Sequence, residues 1–201
     1  MIKILIADDQ ALVSGALASM LRLEPDIDVV AQVQSGDAVL PAVLRLRPDV
    51  VLMDVQMPGR NGLEVAADLR REMPSCKVVI CTAFGRPGYL TRATAAGAVG
   101  FVVKDSPPER LVEAVRRAAA GMRLMDPALS SKALVAGTSP LTGRERDALC
   151  AARNGGTITD IARTLHLSEG TVRNHISSAM TKTSARTRAE AARIAEENGW
   201  L

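Results

Sequence analysis

Five polar side chains stand at the ends of short apolar runs, and their types are those that handle phosphate. Asp8 and Asp9 follow Lys3 to Ala7, Asp54 follows Val50 to Met53, Thr82 follows Lys77 to Cys81, and Lys104 follows Gly100 to Val103. Close carboxylates repel one another, and a hard divalent cation relieves that repulsion by taking oxygen ligands. Mg²⁺ suits such a site because it keeps waters and shares phosphate oxygens. A carboxylate can attack phosphorus to give an aspartyl phosphate. An ammonium such as that of Lys104 stabilises the charge that builds on the moving phosphoryl group, and the Thr82 hydroxyl can bond a phosphate oxygen. Taken singly, an aspartate after a strand is more often a solvated strand end or a helix cap, and a lone lysine a surface charge. It is their coincidence at four strand ends that points to chemistry.

The elements that must position these groups are read from periodicity. The apolar runs, with a further one at Ile27 to Val33, alternate with helical patterns starting at about Ala11, Asp37, Leu63, Pro87 and Pro107. Alternation of this kind marks βαβ units and a parallel sheet covered on both faces. The last two helices open on proline, whose missing N–H is tolerated in a first turn. The spacing therefore predicts an α/β, (βα)5 open sheet over residues 1–120, whose ligand edge is the carboxyl end of the strands. Pro127, Gly137, Ser139 and Pro140 punctuate the next stretch, which reads as a linker over 121–138 with a short helix across Ser130 to Val135.

From residue 139 to 201 the β-branched runs vanish and helix starts recur. Thr142 with Glu145, Thr157 with Asp160 and Thr187 with Glu190 pair a capping hydroxyl with an acid three residues on, and Ser168 is a fourth N-cap. Four short helices make an all-α domain. Within it Ile158 to Lys182 reads as helix, turn, helix. Ile161, Ala162 and Leu165 form one apolar stripe, Leu167 spans the turn, and Val172, Ile176 and Met180 face the core. The opposite face of the second helix presents Arg173, Asn174, Ser177, Ser178 and Thr181, small and polar enough for a major groove. Arg173 suits a guanine or a phosphate, and Asn174 an adenine. Ser168, Thr171 and the helix N-terminus suit phosphate. Lys182, Arg186 and Arg188 extend the positive surface.

On these motifs the first half resembles a two-component receiver domain, which implies the flavodoxin-like sheet order 2-1-3-4-5. The resemblance puts the phosphoacceptor at Asp54 within Met53-Asp54-Val55-Gln56-Met57-Pro58-Gly59, the acid pair at Asp8 and Asp9, and a further metal ligand at the Gln56 carbonyl. It makes Thr82 and Lys104 the catalytic hydroxyl and ammonium, and Thr82 and Phe101 the switch pair, with Phe101 turning inward as Thr82 moves. Asp105 departs from the proline that many receivers carry there. The second half resembles the LuxR/NarL-type domain through Leu141-Thr142-Gly143-Arg144-Glu145-Arg146, Asp160-Ile161-Ala162, Leu167-Ser168-Glu169-Gly170-Thr171-Val172-Arg173-Asn174-His175 and Gly199-Trp200-Leu201. Thr183 replaces that family's usual leucine. The segment from Ala179 to Thr183 and the arginine-rich stretch after it are similar to a subgroup that includes membrane-lipid desaturase regulators. The combined resemblance implies a transcription regulator, not an enzyme, with Mg²⁺ as cofactor. Its implied partners are a sensor histidine kinase, double-stranded promoter DNA and a second copy of the chain on phosphorylation, with RNA polymerase a further candidate.

Two other classes fit less well. A phosphatase of the haloacid dehalogenase type also gathers aspartates, Thr and Lys around Mg²⁺, but its nucleophile follows the first strand in a DxD pattern, and here that strand ends Asp8-Asp9-Gln10. A helical domain used only for protein interaction would show no salt-sensitive binding to duplex DNA. The 201 residues carry a net charge of +3, which permits an anionic partner without demonstrating one. No apolar stretch approaches the ~20 residues of a spanning helix, so a cytoplasmic protein without direct membrane insertion is expected. Cys76, Cys81 and Cys150 lack metal or redox spacing and are expected to be reduced core thiols.

Overall fold

The computed structural model describes residues 1–83, 85, 87–125, 139–153 and 155–201, and the chain divides into two compact units. In the first, β1 (Ile2–Ala7), α1 (Ala11–Leu21), β2 (Ile27–Val33), α2 (Gly36–Leu46), β3 (Val50–Met53), α3 (Gly62–Glu72), β4 (Lys77–Thr82), α4 (Pro87–Ala96), β5 (Gly100–Val103) and α5 (Pro108–Ala119) alternate as expected. All strand pairs are parallel and the sheet order is β2-β1-β3-β4-β5. On one face Ile4, Ile6, Leu52, Val79 and Val102 pack against Ala18 and Leu21 of α1 and Leu111, Val115 and Ala118 of α5. The alternate residues Leu5, Val51, Met53 and Ile80 are equally buried on the other face. Burial on both faces is why β3 is uniformly apolar.

The outer edge of β5 is closed by its own chain. Leu124 forms a parallel bridge with Gly100, accepting from Phe101 N–H at 3.1 Å and donating to the Val99 carbonyl at 2.9 Å. Ser106 N–H takes the Val103 carbonyl at 2.9 Å, so the turn at Lys104 and Asp105 forms without the family's proline. The pairing carries the first unit past residue 120, where the linker was expected to begin. The short helix expected over Ser130 to Val135 lies outside the described residues.

In the second unit α6 (Gly143–Arg153), α7 (Ile158–Leu165), α8 (Glu169–Lys182) and α9 (Arg188–Glu197) start at the hydroxyls expected to cap them. Thr157 and Asp160 form a reciprocal capping box, and Ser168 Oγ accepts from Thr171 N–H at 3.1 Å. At α9 the box is offset: Thr187 caps Glu190 N–H, but the Glu190 carboxylate reaches back to Arg186 N–H at 2.8 Å. One cluster joins Ala148, Ile161, Val172 and Ile176, and another joins Leu141, Leu149, Ala179, Ala191 and Ala195. Met180, expected in the core, is partly buried against both.

Cys76 and Cys81 are buried, and burial pushes both thiols up to about 12, so neither is a thiolate near neutral pH. Cys150 departs from expectation and is exposed. It lies on α6 off the inward stripe of Glu145, Ala148, Leu149 and Ala152. No described helix is long and apolar enough to cross a membrane.

Candidate functional site

The carboxyl ends of β1, β3, β4 and β5 bring the expected groups to one edge. β1 pairs with β3 so that Ala7 sits beside Met53, and β4 pairs with β5 so that Thr82 sits beside Val103. Asp8 and Asp54 therefore emerge side by side, with Thr82 the last residue of β4 and Lys104 the first beyond β5. Asp54 N–H donates to the Ala7 carbonyl at 2.9 Å, and Lys104 N–H to the Thr82 carbonyl at 2.9 Å. These two main-chain bonds hold the strand ends in register beneath the side chains.

Asp8, Asp54 and Thr82 are buried and Asp9 is exposed. Lys104 Nζ lies 2.7 Å from Asp8 Oδ2 and 2.8 Å from Asp54 Oδ2, so one ammonium is shared by two carboxylates taken out of water and offsets part of their charge. Burial works to lower the Lys104 pKa, but hydrogen bonds and charge from Asp54 and Asp8 outweigh it and raise the pKa above the usual lysine value. Val55 N–H donates to Asp54 Oδ1 at 2.7 Å, which orients the carboxylate. Carboxylate oxygens of Asp8, Asp9 and Asp54 lie within 4.8 Å of one another. An all-oxygen, acidic donor set at that spacing fits a hard divalent cation.

The supporting loop explains a glycine that sequence reasoning passed over. A methyl group on Gly62 would lie 1.9 Å from the Asp54 carbonyl oxygen, so only glycine lets the first turn of α3 close against the Asp54 backbone. Gln56, two residues beyond Asp54, is exposed. Phe101, expected to turn inward on activation, is already inside at 3% exposure. The fold itself accounts for this: Phe101 is paired with Ile80 in a sheet buried on both faces.

On α8 the side chains divide by face. Val172, Ile176 and Ala179 are buried, while Arg173, Asn174 and Ser177 are exposed and Thr171 is partly so. Arg173 pairs with Glu169 at 2.8 Å, both ends open to solvent. Ser178, expected on the groove face, and Lys182, expected on the positive surface, are both engaged by Glu145. Ser178 Oγ donates to Glu145 Oε1 at 2.7 Å, and Lys182 Nζ lies 2.9 and 2.8 Å from the two Glu145 oxygens.

Glu145 was legible only as a cap, yet it is buried. Burial would raise its pKa, but the hydrogen bonds from Lys182, Ser178 and Thr142 prevail and lower it to about 2. Its contribution to stability is therefore fully present above the usual glutamate value of 4.5 and is lost as pH falls through about 2. Acid titration followed by the fluorescence of Trp200, the one tryptophan, is expected to show the native chain losing more stability between these pH values than Glu145→Gln. Equal losses would remove Glu145 as the titrating group.

Comparison with known proteins agrees with this geometry. Residues 4–116 match the response regulator receiver domain, and residues 139–195 match the bacterial regulatory proteins of the luxR family. The chain is 45% identical to the uncharacterized transcriptional regulatory protein YvfU of Bacillus subtilis, over the full length of both. The chain belongs to the luxR-type response regulators. It is also 42% identical to the transcriptional regulatory protein DesR of Bacillus subtilis, again over the full length of both. The fold of this response regulator matches that of the Salmonella typhimurium RcsB response regulator, with a TM-score of 0.69 at 22% identity, covering 98% of this chain and 100% of that one. Its family is one of transcriptional regulators and not of enzymes, which excludes the phosphatase alternative.

Proposed function

We propose that this response regulator accepts a phosphoryl group on Asp54 from the phosphohistidine of a sensor histidine kinase, and that the phosphorylated chain binds promoter DNA as a homodimer. The observation that carries the first step is the placement of the Lys104 ammonium between Asp8 and Asp54, 2.8 Å from the carboxylate that would attack. An Asp54 oxygen forms the new bond to phosphorus, the bond from phosphorus to the donor nitrogen breaks, and its electron pair leaves with the donor. Lys104 stabilises charge on the phosphoryl oxygens. Asp8, Asp9, Asp54 and the Gln56 carbonyl would hold Mg²⁺, which when bound supplies further positive charge for the transferring group. Thr82, buried at the end of β4, takes a phosphate oxygen and passes its displacement to the neighbouring strand through Phe101.

Phosphorylation then shifts a conformational equilibrium toward the pairing state. One small helical domain makes few base contacts, so two chains on a two-fold site extend the readout. The exposed Arg173, Asn174 and Ser177 face the bases, with Ser168, Thr171 and the N-terminus of α8 on phosphate. The site of action is the cytoplasm, with RNA polymerase as the downstream partner.

Intact mass after incubation with acetyl phosphate and Mg²⁺ tests the acceptor. One phosphoryl adduct is expected on the native chain and none on Asp54→Asn. An adduct retained by the variant would move the acceptor elsewhere.

A further inference from the structure

A buried carboxylate within the helical unit has no part in the chemistry above. Glu145, 4% exposed, accepts from Thr142 N–H at 2.7 Å, from Ser178 Oγ at 2.7 Å and from Lys182 Nζ at 2.9 and 2.8 Å. Thr142 is the cap of α6, whereas Ser178 and Lys182 lie one helical turn apart on α8. A single anion thus fastens the C-terminal half of α8 to the start of α6.

Beyond the buried Ile176, the apolar contacts of α8 are made by small or partly buried residues, Ala179 and Met180. Apolar packing is non-directional, and a small side chain leaves rotation of a helix weakly specified. Hydrogen bonds to a fixed carboxylate are directional. One residue of rotation about the helix axis, about 100°, would swing Arg173, Asn174 and Ser177 off their common face.

We propose that Glu145 is the positioning residue of the recognition helix, and that Lys182 is the arm of this clamp rather than a contact to the DNA backbone. The proposal rests on α8 being the DNA-facing helix. Releasing Lys182 to a phosphate would leave a buried carboxylate without its cation, which is costly. Arg173 differs, because its partner Glu169 is solvated and the pair can open without stranding a buried charge.

The test is binding of the full chain to a short random-sequence duplex, by fluorescence anisotropy across a series of KCl concentrations. Glu145→Gln removes a negative charge, which by electrostatics alone would tighten binding to a polyanion. Affinity is expected to fall instead, by about twofold or more, the lower end of coupling within one ion-pair network. The double variant Glu145→Gln/Lys182→Met keeps the net charge but lacks the clamp, and is expected to bind no more tightly than Glu145→Gln while keeping the native salt slope. Arg173→Ala is expected to weaken binding across the salt series. Trp200 fluorescence of each variant reports whether the helical domain is folded. Tighter binding by Glu145→Gln, or a slope reduced by about one in the folded double variant, would overturn the clamp and return Lys182 to the DNA backbone. If Arg173→Ala moved neither affinity nor slope, the DNA-facing assignment of α8 would fail, and the clamp's role with it.

Discussion

Lys104→Met is expected to destabilise the receiver unit by about 3 kcal/mol in the absence of divalent cations, the scale for removing one partner of a buried ion pair, and to slow phosphorylation of Asp54 by about a hundredfold or more. The two effects have one origin. The Lys104 side chain is 11% exposed, and it is shared by carboxylates whose side chains are only 2% and 6% exposed. Methionine keeps most of the stem's volume, so packing changes little and the charge is what disappears. Two buried carboxylates then face each other without a cation, and their desolvation and mutual repulsion cost folding free energy. Mg²⁺ bound by Asp8, Asp9 and Asp54 would replace the missing charge. Urea unfolding with and without excess Mg²⁺ is the measurement, and the variant is expected to gain far more from Mg²⁺ than the native chain does. A variant as stable as the native chain without Mg²⁺ would mean that the two carboxylates do not depend on Lys104 for neutralisation.

The second large effect belongs to the helical domain. Leu149→Ala is expected to cost about 3–5 kcal/mol, the range for a fully buried leucine whose site does not collapse. Leu149 is 0% exposed, and the cluster around it includes Ala179, Ala191 and Ala195, side chains too short to move into the space left behind. A domain of this size has a total stability of only about 3–9 kcal/mol, so much of the population would be unfolded on warming. Trp200 packs against the same cluster and reports the helical domain without contribution from the receiver, which has no tryptophan. Urea titration should show an early fluorescence transition while most of the far-UV circular dichroism change comes later. A fluorescence midpoint equal to that of the native chain would contradict the packing described.

What the sequence made legible divides along physical lines. Periodicity and strand-end chemistry are local, so the five strands and the convergence of Asp8, Asp9, Asp54, Thr82 and Lys104 could be read from single runs of residues. Capping is also local, and Thr142, Thr157, Ser168 and Thr187 mark the four C-terminal helices correctly. Contacts between distant segments left no such trace. Glu145 reads as a capping acid because its partner Thr142 is three residues away, while Ser178 and Lys182, 33 and 37 residues on, are invisible to a pattern search. For the same reason Lys182 looked like a free surface cation. Cys150 was misjudged because an apolar neighbourhood in sequence does not say which side of α6 a residue occupies. Phe101 was assigned a motion, and its starting position depends on sheet packing that a sequence pattern does not contain.

The bridge from Leu124 to β5 limits how two chains can come together. An exposed sheet edge invites a second molecule to add a strand, through main-chain groups that lack partners. Here the Val99 carbonyl, the Phe101 N–H and the Val103 carbonyl are already occupied by Leu124 and Ser106. Strand addition at β5 would have to displace the chain's own pairing first. Association on that side of the receiver is thereby directed to side chains on helices, where the match depends on residue identity, and away from the backbone ladder, which any extended peptide could satisfy.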